Sequence, residues 1–249
     1  MPTQPHPWPY PKLIAHRGAG KHAPENTLAA MRFGAHHGFL MFEYDVKLSR
    51  DGMAILLHDD TLERTSNGHG RAADYSYAEL CQLDFGAWHS PEYVGEPIPS
   101  LYTIANFSLA RGLHSNIEIK PSQGLEAETG AQIARLTQKL WHQAALPPLL
   151  SSFSVAALQA AALSAPELPR ALLIEQPQQT AEILQQMQRL GCKGLNIDFQ
   201  LITEELIQGC HQAGFFITAW TVNERAQVEH LFARGVDAIF TDAVTEGLI

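Results

Sequence analysis

The stretch Met41-Phe42-Glu43-Tyr44-Asp45-Val46-Lys47-Leu48, followed by a turn-forming Asp51-Gly52 and the apolar run Ala54 to His58, decides how this chain folds. From Met41 to Val46 the pattern alternates with a period of two, so Glu43 and Asp45 share one strand face while Tyr44 takes the other. The run Ala54 to His58 lies too near for a parallel partner, which needs a crossover of about a dozen residues. Only Val46 to Met53 intervenes, and Asp51-Gly52 within it predicts a hairpin. Antiparallel pairing centred on that turn is expected to set Asp45 opposite about residue 58 and to bring His58 back beside the two carboxylates.

Outward from this stretch, strand-like apolar runs recur at Leu13 to His16, Met41 to Val46, Ser115 to Lys120, Leu149 to Phe153, Ala171 to Glu175, Gly194 to Asp198, Phe216 to Val222 and Asp237 to Thr241. Helical periodicity fills Asn26 to His37, Glu126 to His142, Val155 to Ser164, Gln179 to Leu190, Thr203 to Ala213 and Glu224 to Ala233. Repeated strand and helix predict an α/β fold, a parallel (β/α)8 TIM barrel with a β-hairpin after its second strand. Gly38, Gly191, Gly214 and Gly235 follow helical runs where a left-handed cap is expected, and Asn26 is a good residue to cap the first helix. The hairpin leads into an insertion, about 59–100, rich in glycine, aspartate and aromatic residues. Such a loop at the C-terminal end of a barrel strand is expected to cap the pocket. No linker-like composition divides residues 1–249, so one domain is expected.

The balance of 17 basic against 26 acidic residues gives a net charge of −9, which argues against a nucleic-acid or membrane surface as partner. No run approaches the roughly 20 apolar residues of a membrane span. Met1 to Lys12 is proline-rich without an apolar signal core, so a cytoplasmic protein without stable membrane association is expected. Cys81, Cys192 and Cys210 are widely spaced and form no CxxC, which suggests neither a disulfide framework nor a zinc knuckle.

Ile117-Glu118-Ile119-Lys120 repeats the alternation of the opening stretch and offers a third carboxylate. Same-face neighbours on a strand lie about 6 to 7 Å apart, a span that one cation bridges. Ionised carboxylates turned inward need a partner, either a metal or a base such as Arg17 or Lys120. Both readings stand at this point. His16 and His58 close strand runs and supply imidazoles for acid/base work, against the plainer reading of structural histidines. Phe153 and Trp220, at the ends of later strands, make either an apolar substrate wall or core packing. Gly18-Ala19-Gly20-Lys21 lacks the spacing of a nucleotide loop, His36-His37 lacks ligand partners, and there is no GxSxG.

Taken in order, His16-Arg17-Gly18, Pro24-Glu25-Asn26-Thr27, Glu43-Tyr44-Asp45, Asp51-Gly52, the run from Leu57-His58-Asp59-Asp60 to Arg64-Thr65, and Ile117-Glu118-Ile119-Lys120 resemble the signature of glycerophosphodiester phosphodiesterases. Leu150-Ser151-Ser152-Phe153, Trp220-Thr221-Val222-Asn223 and Phe240-Thr241-Asp242 extend the resemblance to the C-terminus. Trp8-Pro9-Tyr10-Pro11 and the run Pro147 to Phe153 resemble the cytoplasmic bacterial members that accompany glycerol-3-phosphate uptake. The resemblance implies metal-dependent hydrolysis of glycerophosphodiesters, such as glycerophosphocholine or glycerophosphoethanolamine, to sn-glycerol 3-phosphate and an alcohol. It implies one divalent cation, Mg²⁺ or Ca²⁺, on Glu43, Asp45 and Glu118, with His16 and His58 as the acid/base pair. It further implies that Arg17 and Lys120 hold phosphate oxygens and that Glu25 supports them from behind. Lipid-cleaving lyases of similar barrel and a non-catalytic phosphodiester sensor are the competing readings. The acidic balance opposes the first, and the complete set of acid/base and metal candidates opposes the second.

Overall fold

The computed structural model describes residues 8–248, so the proline-rich start at residues 1–7 lies outside the described residues. Its elements run β1 (Leu13–Ala15), α1 (Leu28–His36), β2 (Met41–Leu48), β3 (Ala54–Leu56), α2 (Tyr77–Leu80), α3 (Leu101–Leu109), β4 (His114–Ile119) and α4 (Glu126–Leu140). There follow β5 (Leu149–Ser152), α5 (Val155–Ser164), β6 (Arg170–Ile174), α6 (Thr180–Leu190), β7 (Gly194–Asp198), α7 (Glu204–Gln212), β8 (Phe216–Trp220), α8 (Arg225–Arg234) and β9 (Ala238–Thr241). All strands but β3 are parallel and close into a ring through the β1–β9 and β1–β2 pairings, while β3 lies antiparallel outside β2. The result is the expected (β/α)8 barrel. Gly38, Gly191, Gly214 and Gly235 all have positive φ, as helix stops require.

Three details differ from the sequence reading. The hairpin pairs Val46 with Leu56 and Lys47 with Ile55, and the Leu57 amide donates to the Asp45 carbonyl. Leu57, rather than residue 58, therefore faces Asp45, because the loop centres on Asp51. Asn26 is not the cap of α1. Thr27 is, with its hydroxyl accepting from the Ala30 amide, and Asn26 sits at φ 58 with its side chain turned to the barrel. Helix α3, which begins one residue after the insertion was expected to end, is an additional barrel helix capped by Ser100. After β9 the described residues 242–248 form no closing helix.

Inside the ring the strands' alternation builds tiers. The floor is Ile14, Met41, Leu149, Ala171, Phe216 and Ala238, plugged by Trp8 and Tyr10. Trp8 meets Phe216 edge-on at 4.9 Å between ring centroids. A Cβ at position 194 would lie 2.2 Å from the Phe216 ring, so β7 must begin with glycine for this floor to fill. Above it is a polar tier: Thr218 donates to the Asn196 side chain (2.7 Å), Asn196 to Asn116 (3.3 Å), and Asn116 to Ser151 (2.8 Å). Buried polar groups are tolerated when each is satisfied in this way.

Outside the ring, the shell between strands and helices forms two clusters, one around β2, β4 and β5 and the other around β6 to β9. The segment after β3 has an apolar cluster of its own, with Leu62, Ala72, Leu80, Phe85 and Ile98 packed on Ile55 and Leu57. Its Asp84 carboxylate accepts from the Gly86, Ala87 and Gly95 amides, and its Glu96 accepts from the Ala29 amide in the first turn of α1. Among the described residues no helix is long and apolar enough to cross a membrane.

Candidate active site

Above the polar tier the alternation of β2 carries Glu43 and then Asp45 inward, and the register of β2 with β4 sets Glu118 directly beside Asp45. One oxygen from each of these three buried carboxylates lies within 4.8 Å of the others. Asn26 clamps Asp45 twice, its amide donating to Oδ2 (2.8 Å) and its carbonyl oxygen accepting the Asp45 backbone N–H (3.0 Å). The positive φ of Asn26 is what lets it face β2 rather than cap α1. Arg17, also at positive φ (50°), donates its backbone N–H to Glu43 Oε2 at 3.0 Å. Two non-glycine residues in this sparsely populated region, both gripping the acidic cluster, mark backbone strain held at the site.

The electrostatics of the cluster are unequal. Burial alone would raise the Asp45 carboxyl, but Lys120, Arg17, His58 and the Asn26 amide outweigh it and hold it down at about 2. Burial, with the Asp45 charge beside it, pushes Glu118 up to about 7 although Lys120 donates to it at 2.8 Å. Glu43 is raised by burial and by both neighbouring carboxylates, and its Oε1 is buried without a partner. Three convergent carboxylates, one of which has an unsatisfied buried oxygen, fit a divalent cation of the Mg²⁺ or Ca²⁺ kind. Without a cation, Glu118 keeps its proton in the folded chain while the unfolded chain gives it up above the ordinary value of 4.5. The folded state then binds more protons and stability falls as pH rises. In chelator the melting temperature is expected to drop as pH rises through the window from 4.5 to about 7, a loss on the order of 3 kcal/mol when complete. Added Mg²⁺ or Ca²⁺ should flatten the curve. Melts at each pH, with and without chelator, check this, and a chelated protein as stable at pH 7 as at pH 5 would refute it.

Each candidate histidine is backed by an aspartate. His16 Nδ1 lies 2.7 Å from Asp242, whose backbone amide donates to the Asn223 side chain, and His16 Nε2 is 3.8 Å from Glu43. His58 Nδ1 lies 2.6 Å from Asp59. A carboxylate at Nδ1 favours the tautomer with the proton there and leaves Nε2 of the neutral ring as an acceptor. Burial, ahead of the surrounding charges, lowers the pKa of His58 and favours its neutral form. The loop that carries His58 is pinned by the fully buried Lys47, whose ammonium donates to the Asp59 carbonyl (2.5 Å) and the Asp60 carboxylate (2.9 Å).

His16, Arg17, Glu43, His58, Glu118, Lys120, Phe153 and Trp220 all line one cavity of about 110 Å³ at the C-terminal mouth of the barrel. Asp45 lies within the carboxylate cluster, and Glu25 stands behind Arg17, accepting from it at 2.8 Å. Phe153 and Trp220 meet edge-on with centroids 5.8 Å apart, and the Lys120 ammonium sits 5.3 Å from the Phe153 ring. A wider groove of about 500 Å³ runs on past His58, Asp60, Lys120 and Ser154. Every residue singled out from the sequence is thus found at this mouth. Asn26, Asp59, Asp242 and Arg64 were given no role there. Asp59 had a signal in its adjacency to His58, whereas Asp242 becomes a partner of His16 only when β9 closes against β1.

The family model for the glycerophosphoryl diester phosphodiesterase family matches residues 16–246. A glycerophosphodiester phosphodiesterase of Caldanaerobacter subterraneus subsp. tengcongensis is 31% identical, covering 92% of this chain and 93% of its own. One of Bacillus altitudinis is also 31% identical, over 93% of this chain and 94% of its own. Among solved structures, a phosphodiesterase of Oleispira antarctica, in complex with the product sn-glycerol-3-phosphate, superposes with a TM-score of 0.88 at 35% identity, covering 95% of this chain and 94% of that one.

Proposed function

Because the chain belongs to the glycerophosphoryl diester phosphodiesterase family and is an enzyme of that class, we propose that it hydrolyses water-soluble glycerophosphodiesters to sn-glycerol 3-phosphate and an alcohol. Glycerophosphocholine and glycerophosphoethanolamine are substrates of this kind. The observation that carries the reading is the convergence of Glu43, Asp45 and Glu118 within 4.8 Å, with Glu43 and Glu118 lining the same cavity as His16 and His58. The product named for the Oleispira antarctica structure supports a glycerol phosphate ligand here as well.

When held by Glu43, Asp45 and Glu118, a divalent cation would polarise a phosphoryl oxygen and offset the charge that builds there. The chain's own groups do the rest. Arg17 and Lys120, both lining the cavity, hold the remaining phosphate oxygens. One imidazole accepts the proton of the attacking hydroxyl while the other returns a proton to the departing alcohol; water as the attacker gives sn-glycerol 3-phosphate directly, whereas attack by the glycerol 2-hydroxyl gives a cyclic phosphate that a water then opens. This division needs one neutral and one charged ring. Asp59 and Asp242 fix each ring through Nδ1 and stabilise the charge that each takes on. Phe153 and Trp220 wall the substrate off from water.

We read residues 1–249 as one domain, with the segment about 59–100 as a cap over the mouth. Its separate apolar cluster and its contacts with α1 support that reading. A cytoplasmic site of action fits three cysteines that are all free. The deciding experiment is sn-glycerol 3-phosphate release from a panel of deacylated phospholipids, assayed with and without chelator beside intact lipids. Release that depends on a divalent cation and is confined to the soluble diesters is expected. Release only from intact lipids would overturn the substrate class.

A further inference from the structure

Arg64 comes from the segment after β3 and lines neither the cavity nor the carboxylate cluster, yet its guanidinium is forked onto two carboxylates at once. Nε and Nη2 donate to Asp59 at 2.6 and 2.9 Å, and Nη1 and Nη2 donate to Glu25 at 2.7 and 2.9 Å. Each carboxylate passes the contact inward. Asp59 Oδ1 meets His58 Nδ1 at 2.6 Å, and Glu25 Oε1 accepts from Arg17 Nη1 at 2.8 Å. A continuous chain of short charged contacts therefore runs from His58 through Asp59, Arg64 and Glu25 to Arg17, joining the ends of β3 and β1.

We propose that Arg64 is a positioning residue that holds the His58 imidazole and the Arg17 guanidinium in fixed register with each other. The inference rests on the function proposed above. An ion pair on a side chain 44% exposed contributes little to stability by itself. Two bidentate forks, however, fix planes and angles as well as distance, and only a planar guanidinium can make both. Arg17 needs such a tether. Its Nε lies 3.6 Å from Asp45, so without Glu25 holding Nη1 its head would be drawn onto the acidic cluster and away from an incoming phosphate. His58 needs one too, because Asp59 can aim Nδ1 only while its own carboxylate is fixed. A lysine at position 64 keeps the charge but, as a point donor, cannot fork both partners.

The test uses the full chain with Mg²⁺, comparing wild type with Arg64→Lys and Arg64→Ala. Supporting residues behind a reactive group typically cost 10- to 100-fold, so kcat on glycerophosphocholine is expected to fall by about that factor in both variants. KM should move less than about threefold and the melting temperature by only a few degrees, as suits a surface ion pair. A second readout needs no substrate: the ¹⁵N resonance of His58 Nδ1 should shift or broaden in both variants while that of His16 stays in place. Arg64→Lys with wild-type kcat, or an unmoved His58 resonance, would overturn the proposal. So would a loss of kcat matched by a collapse in melting temperature. A wild-type protein that releases no sn-glycerol 3-phosphate would instead refute the functional reading, and the His58 resonance would still decide the role of Arg64.

Discussion

His58→Ala is expected to lower turnover by about 10²- to 10⁴-fold, the range that one positioned acid or base supplies. The loss should appear in kcat rather than in metal affinity. No oxygen of Glu43, Asp45 or Glu118 is hydrogen-bonded to His58, and the side chain reaches the cavity from β3, outside the carboxylate-bearing strands. His16→Ala should cost as much, with one difference. His16 Nε2 lies 3.8 Å from Glu43, so its removal also alters a metal-side carboxylate and should shift the cation requirement slightly. If the two rings act as one relay, the double variant should be little worse than either single one. Steady-state rates on glycerophosphocholine at saturating Mg²⁺ measure all three. A His58→Ala enzyme within about fivefold of wild type would remove this ring from the chemistry, because the effect would lie far below the acid/base range.

Glu118→Ala is the second large effect expected, and it should appear first as a changed demand for metal. The change removes one of three oxygens that converge within 4.8 Å and leaves Lys120 without its 2.8 Å partner beside Asp45. Residues merely supporting a metal ligand cost 10- to 100-fold in affinity, so loss of a ligand itself is expected to exceed about 100-fold. Activity should be nearly absent at micromolar Mg²⁺ and partly restored at tens of millimolar. In chelator the same variant should be no less stable than wild type, since the carboxyl it loses is held up at about 7 by burial. Calorimetric titration of Mg²⁺ and Ca²⁺ into both proteins checks the affinity. Unchanged binding would take Glu118 out of the metal site.

The barrel was legible because its strands are short apolar runs whose period of two survives in every inward tier. Glu43 and Asp45 stood out because a carboxylate pair sharing one face of a buried strand needs a charged or metal partner. What escaped reading depended on backbone conformation or on distant closure. Asn26 carries an ordinary capping residue's side chain, and only its positive φ, which no local pattern announces, sends that side chain to Asp45. Asp242 and His16 are separated by 226 residues and meet through the pairing of the first and last strands. Helix α3 was readable in principle, with Ser100 as its cap and Leu101, Ile104, Ala105 and Ser108 on one buried face. It was missed because it follows a segment of weak periodicity.

The division of the surrounding apolar shell into two clusters bears on how the mouth is assembled. All three acidic oxygens stand on β2 and β4, within one half of the ring, whereas Trp220 and Asp242 belong to the other. The register of β2 with β4 lies within the first half, whereas His16 meets the Asp242 carboxylate only across the seam where β9 docks on β1. Closure of the circle and the placement of the His16 ring against Asp242 are thereby tied to the same strand pairing.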